Sequence, residues 1–147
     1  MSRVPDGMGK LPFLPVPTNP DLWLSGQVEM IESLTDEQIG GMGFLRRSQL
    51  RQMAAAAPGS YWYIFGEPNR YGYMTGARFA PVFHYYVTQI KLADPTAKIV
   101  GTSLLNWDYT CIGCQGQFYC SGPIYLRGYE CGKKWFQEFL VAYEGTY

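Results

Sequence analysis

The sequence predicts an α/β chain with parallel strands, and three observations lead there. Short aromatic and β-branched runs at Tyr61 to Phe65 and Lys98 to Ser103 are each followed by a connection long enough to carry a helix, the pattern of parallel pairing. Breaker pairs, Pro58-Gly59 and Asp94-Pro95, separate those runs from segments of helical period. The composition, 47% hydrophobic and 16% charged over 147 residues, is that of an ordinary globular domain with a real core.

Each element follows from local chemistry. Residues 1–27 hold Pro5, Pro12, Pro15, Pro17 and Pro20 among Gly7, Gly9 and Gly26, which opposes helix interiors and central strands and predicts an extended, mobile arm. That arm also carries Leu11, Phe13, Leu14, Val16, Leu22, Trp23 and Leu24, an apolar load that suits packing on a surface of this chain or of a partner. Residues 28–147 form the domain proper. Thr35 followed by Gln38 has the capping-box spacing and predicts a helix starting at Asp36, with Asp36 and Glu37 at the positive end of its dipole. A second helical stretch runs from Phe44 to Ala57 and stops at Pro58-Gly59.

Tyr61 to Phe65 is a buried strand bounded by Gly59-Ser60 and Gly66-Glu67-Pro68. Phe79, Phe83, Tyr86, Val87 and Ile90 recur at helical spacing, with Pro81 expected in the first turn and anything before it irregular. Lys98 to Ser103 is the next strand, residues 104–132 a long loop, and Lys133 to Tyr143 the last helix, apolar at Trp135, Phe136, Phe139, Leu140 and Tyr143. Parallel sheets bury both faces, which two or three strands cannot do alone, and no internal repeat supplies the rest. Self-association or a missing half of the sheet is the expected remedy.

Several function classes drop out. Twelve basic and twelve acidic residues cancel, leaving no charge excess to hold nucleic acid. No apolar run is long enough to cross a membrane, and the opening Met-Ser-Arg-Val-Pro-Asp-Gly has no apolar stretch behind its single basic residue, unlike a signal peptide. No phosphate-loop or dinucleotide motif is present, so no cofactor is expected. The single histidine, His84, lies in a helix among Phe83, Tyr85 and Tyr86, a packing environment that offers little to a catalytic triad.

The candidate site centres on Trp62-Tyr63-Ile64-Phe65-Gly66-Glu67-Pro68-Asn69, a hydrophobic strand that delivers a carboxylate at its C-terminal end. That end is where parallel barrels keep their chemistry, and a glutamate pressed by rings can hold a proton for a leaving oxygen. Asp108, after the second strand, is the best second carboxylate. Asn69, Asn106 and Trp107, with Trp62 and Tyr63, supply the amides and rings a sugar would meet. Cys111, Cys114, Cys120 and Cys131 all fall in the long loop. Disulfides are the favoured state, zinc and free thiols the alternatives, because Cys120 and Cys131 are too widely spaced for a second zinc knuckle.

The stretch Pro58 to Asn69 resembles the fourth-strand segment of retaining clan A glycoside hydrolases, which usually ends Asn-Glu-Pro with the Glu as acid/base. Phe79-Ala80, Phe83-His84, Thr88, Ile90-Lys91 and Asp94-Pro95-Thr96-Ala97-Lys98 are similar to the following helix and strand of uncharacterised bacterial and metagenomic glycosyl-hydrolase-like proteins. Asn106-Trp107-Asp108-Tyr109-Thr110-Cys111 looks like their next loop, so the resemblance spans residues 58–147. It implies a partial TIM-barrel-like arrangement of two clear β/α units, an oligo- or polysaccharide ligand and Glu67 as proton donor and base. Two departures stand out. Gly66 replaces the clan's sugar-binding asparagine, and the clan's nucleophile, on a later strand, would lie beyond residue 147, as in a fragment or divergent form. A non-catalytic carbohydrate-binding or structural module is the alternative. A disulfide loop in this setting suggests an exported protein, although no signal for export is read in the chain.

Overall fold

The structure is a computed structural model that describes residues 13–14, 20–24, 26–70, 74–108, 110–112, 116–118 and 130–147. The chain is mixed α/β and mostly helical. Three strands, β1 (Phe13–Leu14), β2 (Tyr61–Ile64) and β3 (Lys98–Val100), form a parallel sheet in the order β1-β2-β3. Phe13 pairs with Tyr63, and Tyr61, Trp62 and Tyr63 pair with Lys98, Ile99 and Val100. A bridge between Gly66 and Ser103 prolongs the β2–β3 contact to the C-terminal edge.

The arm departs from the extended form expected of it. Its described residues include β1 and a short helix, α1 (Pro20–Leu24), and Leu14, Leu22 and Trp23 are buried in the core. Proline density prohibits regular hydrogen bonding over the whole segment but leaves short stretches free to pair, and burial of large apolar side chains repays their ordering. A 3-10 turn at Gln27–Ser33 then leads to α2 (Asp36–Gly41). Here the capping box forms as expected, with Gln38 N donating to Thr35 Oγ1 at 3.2 Å and Thr35 N to Gln38 Oε1 at 2.9 Å. Helix α3 (Arg47–Ala56) begins later than Phe44, since Phe44 is buried against Trp23 and Tyr86 before the helix starts.

Helix α4 (Gly76–Ala93) starts five residues ahead of Pro81, which therefore lies inside it. Thr75 makes this possible by capping, its Oγ1 accepting from Arg78 N at 3.2 Å. Proline at that position removes only the bond to the carbonyl of Ala77, an exposed residue whose oxygen water can satisfy. The helix ends where expected. Asp94 accepts from Gly59 N at 2.8 Å and from the Thr96 hydroxyl at 2.6 Å, tying the entrances of β2 and β3 together.

The region expected to be a long loop contains an antiparallel pair, β4 (Thr110–Ile112) and β5 (Gly116–Phe118). The last helix, α5 (Gly132–Thr146), packs chiefly along α4. Gly76 is what lets them meet: a Cβ there would lie 2.0 Å from the Trp135 carbonyl oxygen and 2.6 Å from Phe139 N. Phe79, Trp135 and Phe139 fill the seam with ring centroids 5.2 to 6.0 Å apart, and the Trp135 indole donates to Met74 O at 2.8 Å. The described residues include no helix long and apolar enough to cross a membrane.

The sheet has two unlike faces. Trp62 and Ile64 are buried in the same cluster as the helix side chains. Tyr61 and Tyr63, pointing the other way, are half-buried, and their register partners Lys98 and Val100 are exposed and half-buried. Lys98 Nζ sits 4.7 Å from the centre of the Tyr61 ring, a cation–π contact on that face.

Candidate functional site at the strand C-terminal edge

Glu67 follows β2 at the C-terminal edge of the sheet, beside the middle strand. Its backbone is unusual. Phe65 and Glu67 have φ of 56° and 51°, a left-handed pair flanking Gly66 that non-glycine residues adopt only under constraint. The constraint is visible on both neighbouring strands. Phe65 N donates to Leu14 O at 3.1 Å, the Thr102 hydroxyl donates to Phe65 O at 2.6 Å, and Glu67 N donates to Ser103 O at 2.9 Å. The Phe65 ring is sealed against Tyr86 and Phe79, with centroids 5.2 and 5.6 Å away. The carboxylate of Glu67 is half-buried, and among the described residues none donates to it.

Ser103, read from the sequence only as the end of a strand, is central to this edge. Its hydroxyl bonds the Tyr63 phenol, its N–H donates to the same phenol oxygen at 3.2 Å, and its carbonyl holds Glu67. No motif signals it, because its importance comes from its register opposite Gly66.

Asn69 is fully buried, and its amide is wholly engaged by backbone. Nδ2 donates to Leu105 O at 2.6 Å and Glu130 O at 2.8 Å, while Oδ1 accepts from Leu105 N at 2.8 Å. Its role in the structure is a clamp joining the turn Pro68–Arg70, the segment after β3 and the entrance of α5, with no atom left over for a sugar hydroxyl. Trp62 is likewise on the covered face, 1% exposed, and so is remote from solvent. Tyr63 stands on the open face at the edge.

Asn106, Trp107 and Asp108 are all exposed on the loop after β3. Asn106 has φ 48°, and its carbonyl and that of Trp107 accept from Gly132 N and Lys133 N at 2.8 and 3.1 Å, capping the start of α5. The Trp107 ring is 50% exposed and leans on Phe136 at 6.3 Å, which leaves an aromatic surface facing water. Leu104 and Trp107 approach Gly132 so closely that a Cβ there would meet them at 3.0 and 3.2 Å.

Cys131 is buried and disulfide-bonded, and its Sγ accepts from Lys134 N at 3.4 Å. The side chains of Cys111, Cys114 and Cys120 lie outside the described residues. Among the described residues, no group of three or more histidine, cysteine or acidic side chains is arranged to hold a metal. His84 packs as expected, stacked on Tyr147 at 3.7 Å, with Nδ1 3.3 Å from the Tyr143 hydroxyl and Nε2 3.5 Å from Glu32.

The sequence reading also missed Glu130, Lys134 and Glu138 at the start of α5. Their i, i+4 spacing was the available signal. Comparison with known proteins finds no match to any family model, curated protein or solved structure.

Proposed function

We propose that the chain is a carbohydrate-active protein resembling a glycoside hydrolase, built on part of a (β/α)8 barrel, with Glu67 as general acid/base. The observation that carries this reading is the Glu67 carboxylate: half-buried, without a described donor, and held by strained backbone at the C-terminal edge of a parallel sheet. Strain of this kind concentrates where a side chain must be aimed, and parallel α/β sheets keep their chemistry at that edge. Strand order follows chain order, β1-β2-β3, as in a singly wound barrel rather than a doubly wound sheet. The half-buried face of Tyr61, Tyr63 and Val100 is the one further strands, or a second copy, would close over.

In the proposed reaction Glu67 protonates the departing glycosidic oxygen while the sugar's anomeric carbon is taken by the second carboxylate, Glu67 then deprotonating the water that releases it, or, with inversion, by a water that the second carboxylate deprotonates; the exposed Trp107 ring gives a sugar a surface to stack on. A second carboxyl group about 5 to 5.5 Å from Glu67 would make the enzyme retaining, and one at about 6.5 to 9.5 Å inverting. Asp108 is the candidate. The second reading, a non-catalytic carbohydrate-binding module, is favoured by Gly66 and by the full engagement of Asn69, which leave few polar groups to grip a sugar. Hydrolysis of aryl glycosides that disappears in Glu67→Gln supports the enzyme. Polysaccharide binding without turnover, unchanged in Glu67→Gln and lost in Trp107→Ala, supports the module; neither activity nor binding removes both.

A further inference from the structure

The turn that presents Glu67 is held on one side by the residues just after β3. Phe65 and Glu67 have φ of 56° and 51°, a left-handed pair that persists only where surrounding structure imposes it. The Thr102 hydroxyl donates to Phe65 O at 2.6 Å, and Ser103 O accepts from Glu67 N at 2.9 Å. By this point the contact between β2 and β3 has narrowed to the bridge between Gly66 and Ser103, and Ser103 is exposed. A strand end of that kind opens readily, so the grip on Glu67 is only as firm as the hold on Ser103.

Tyr63 supplies that hold. Its register partner on β3 is Val100, three residues before Ser103, and its ring leans along the strand direction far enough to reach Ser103 at the edge. There the phenol oxygen accepts from Ser103 N at 3.2 Å and is bonded again to the Ser103 hydroxyl. Two groups of one exposed residue are thus fixed by a half-buried ring carried on β2, the strand that leads into Glu67. The bonds act in series: the phenol fixes Ser103, and the Ser103 carbonyl fixes the Glu67 backbone.

We propose that Tyr63 is a positioning residue for Glu67, acting through Ser103 rather than by contact with a sugar. Its effect on turnover rests on the reading of Glu67 as general acid/base; its effect on the Glu67 backbone does not. A proton donor that drifts from the leaving oxygen lowers kcat, whereas a lost ground-state contact to substrate raises KM.

The test uses the full chain. Tyr63→Phe keeps the ring and removes only the phenol oxygen. Ser103→Ala removes only the hydroxyl, and Ser103→Thr keeps it in a side chain suited to a strand. Backbone hydrogen exchange at the Glu67 amide is expected to rise about tenfold in Tyr63→Phe, by less in Ser103→Ala, and to match the wild type in Ser103→Thr. The Phe65 amide, held by Leu14 O from the other side, should keep its rate throughout. On aryl glycosides kcat should fall about tenfold in Tyr63→Phe with KM unchanged. Glu67 exchange that does not move in Tyr63→Phe, or that rises together with exchange at Phe65, overturns the proposal. So does a raised KM at constant kcat, the mark of a phenol that touches the sugar. A wild type without turnover removes the enzyme reading alone, and the exchange rates at Glu67 and Phe65 then decide the positioning role by themselves.

Discussion

The two faces of the sheet are built by opposite means. On the covered face Trp62 and Ile64 join a continuous cluster of rings and aliphatic side chains contributed by α3, α4 and α5. On the open face and at the C-terminal edge, Tyr61, Tyr63, Ser103 and Glu67 stay in partial contact with water, and the chain is held by hydrogen bonds to strained backbone. Apolar packing thus carries the stability, and the polar edge is determined by register. The difference teaches where substitutions cost folding and where they change only what the edge presents.

The comparison breaks most readily at the α4–α5 seam. Trp135→Ala removes a fully buried ring and its bond to Met74 O and is expected to cost about 3 to 5 kcal/mol in chemical denaturation. Gly76→Ala is the sharper test, because the added carbon meets backbone on α5; a loss of about 3 kcal/mol is expected, measured the same way. Asn69→Ala strips the amide from buried carbonyl and N–H groups of Leu105 and Glu130, for about 2 kcal/mol and faster exchange at the Leu105 amide. At the edge the sign reverses. Glu67→Gly relieves a left-handed glutamate and should raise stability by about 1 kcal/mol in the same denaturation while abolishing any activity. A loss instead would mean that the carboxylate holds the fold.

The smallest effect concerns pH. Hydrogen bonds from the Thr96 side chain, Gly59 and the Thr96 backbone hold the Asp94 carboxyl below its ordinary 3.8, with the Lys91 charge acting in the same direction. A depressed carboxylate stabilises the folded state above its unfolded value and loses that contribution as pH falls through the folded value. Asp94→Asn should therefore lower the thermal midpoint most in the neutral region and little at acid pH, where the wild type has already lost the contribution, so that the acid limb flattens.

Part of this was readable beforehand. The capping box at Thr35, the strand run from Tyr61, the stop at Asp94-Pro95 and the carboxylate at the strand end rest on interactions within a few residues, and each sits where sequence put it. Pro81 was misleading for the same reason: read locally it signals a first turn, but Thr75 and the packing of Gly76 on α5 begin the helix earlier. The arm was legible in part: its apolar residues pointed to packing, which Leu14, Leu22 and Trp23 realise, while its prolines concealed the short strand and helix that this burial orders.

By itself, then, the sequence determined the order of elements, their caps and breakers, and the presence of Glu67 after a hydrophobic strand, because neighbours in the chain set those terms. Tertiary structure alone decided that Asn69 turns inward and that Ser103 grips Glu67. Both arise from residues 36 to 61 positions apart meeting at one strand end. Whether an amide faces a sugar or a buried carbonyl depends on which backbone groups the fold leaves without a partner, a quantity that exists only once the strands are in register.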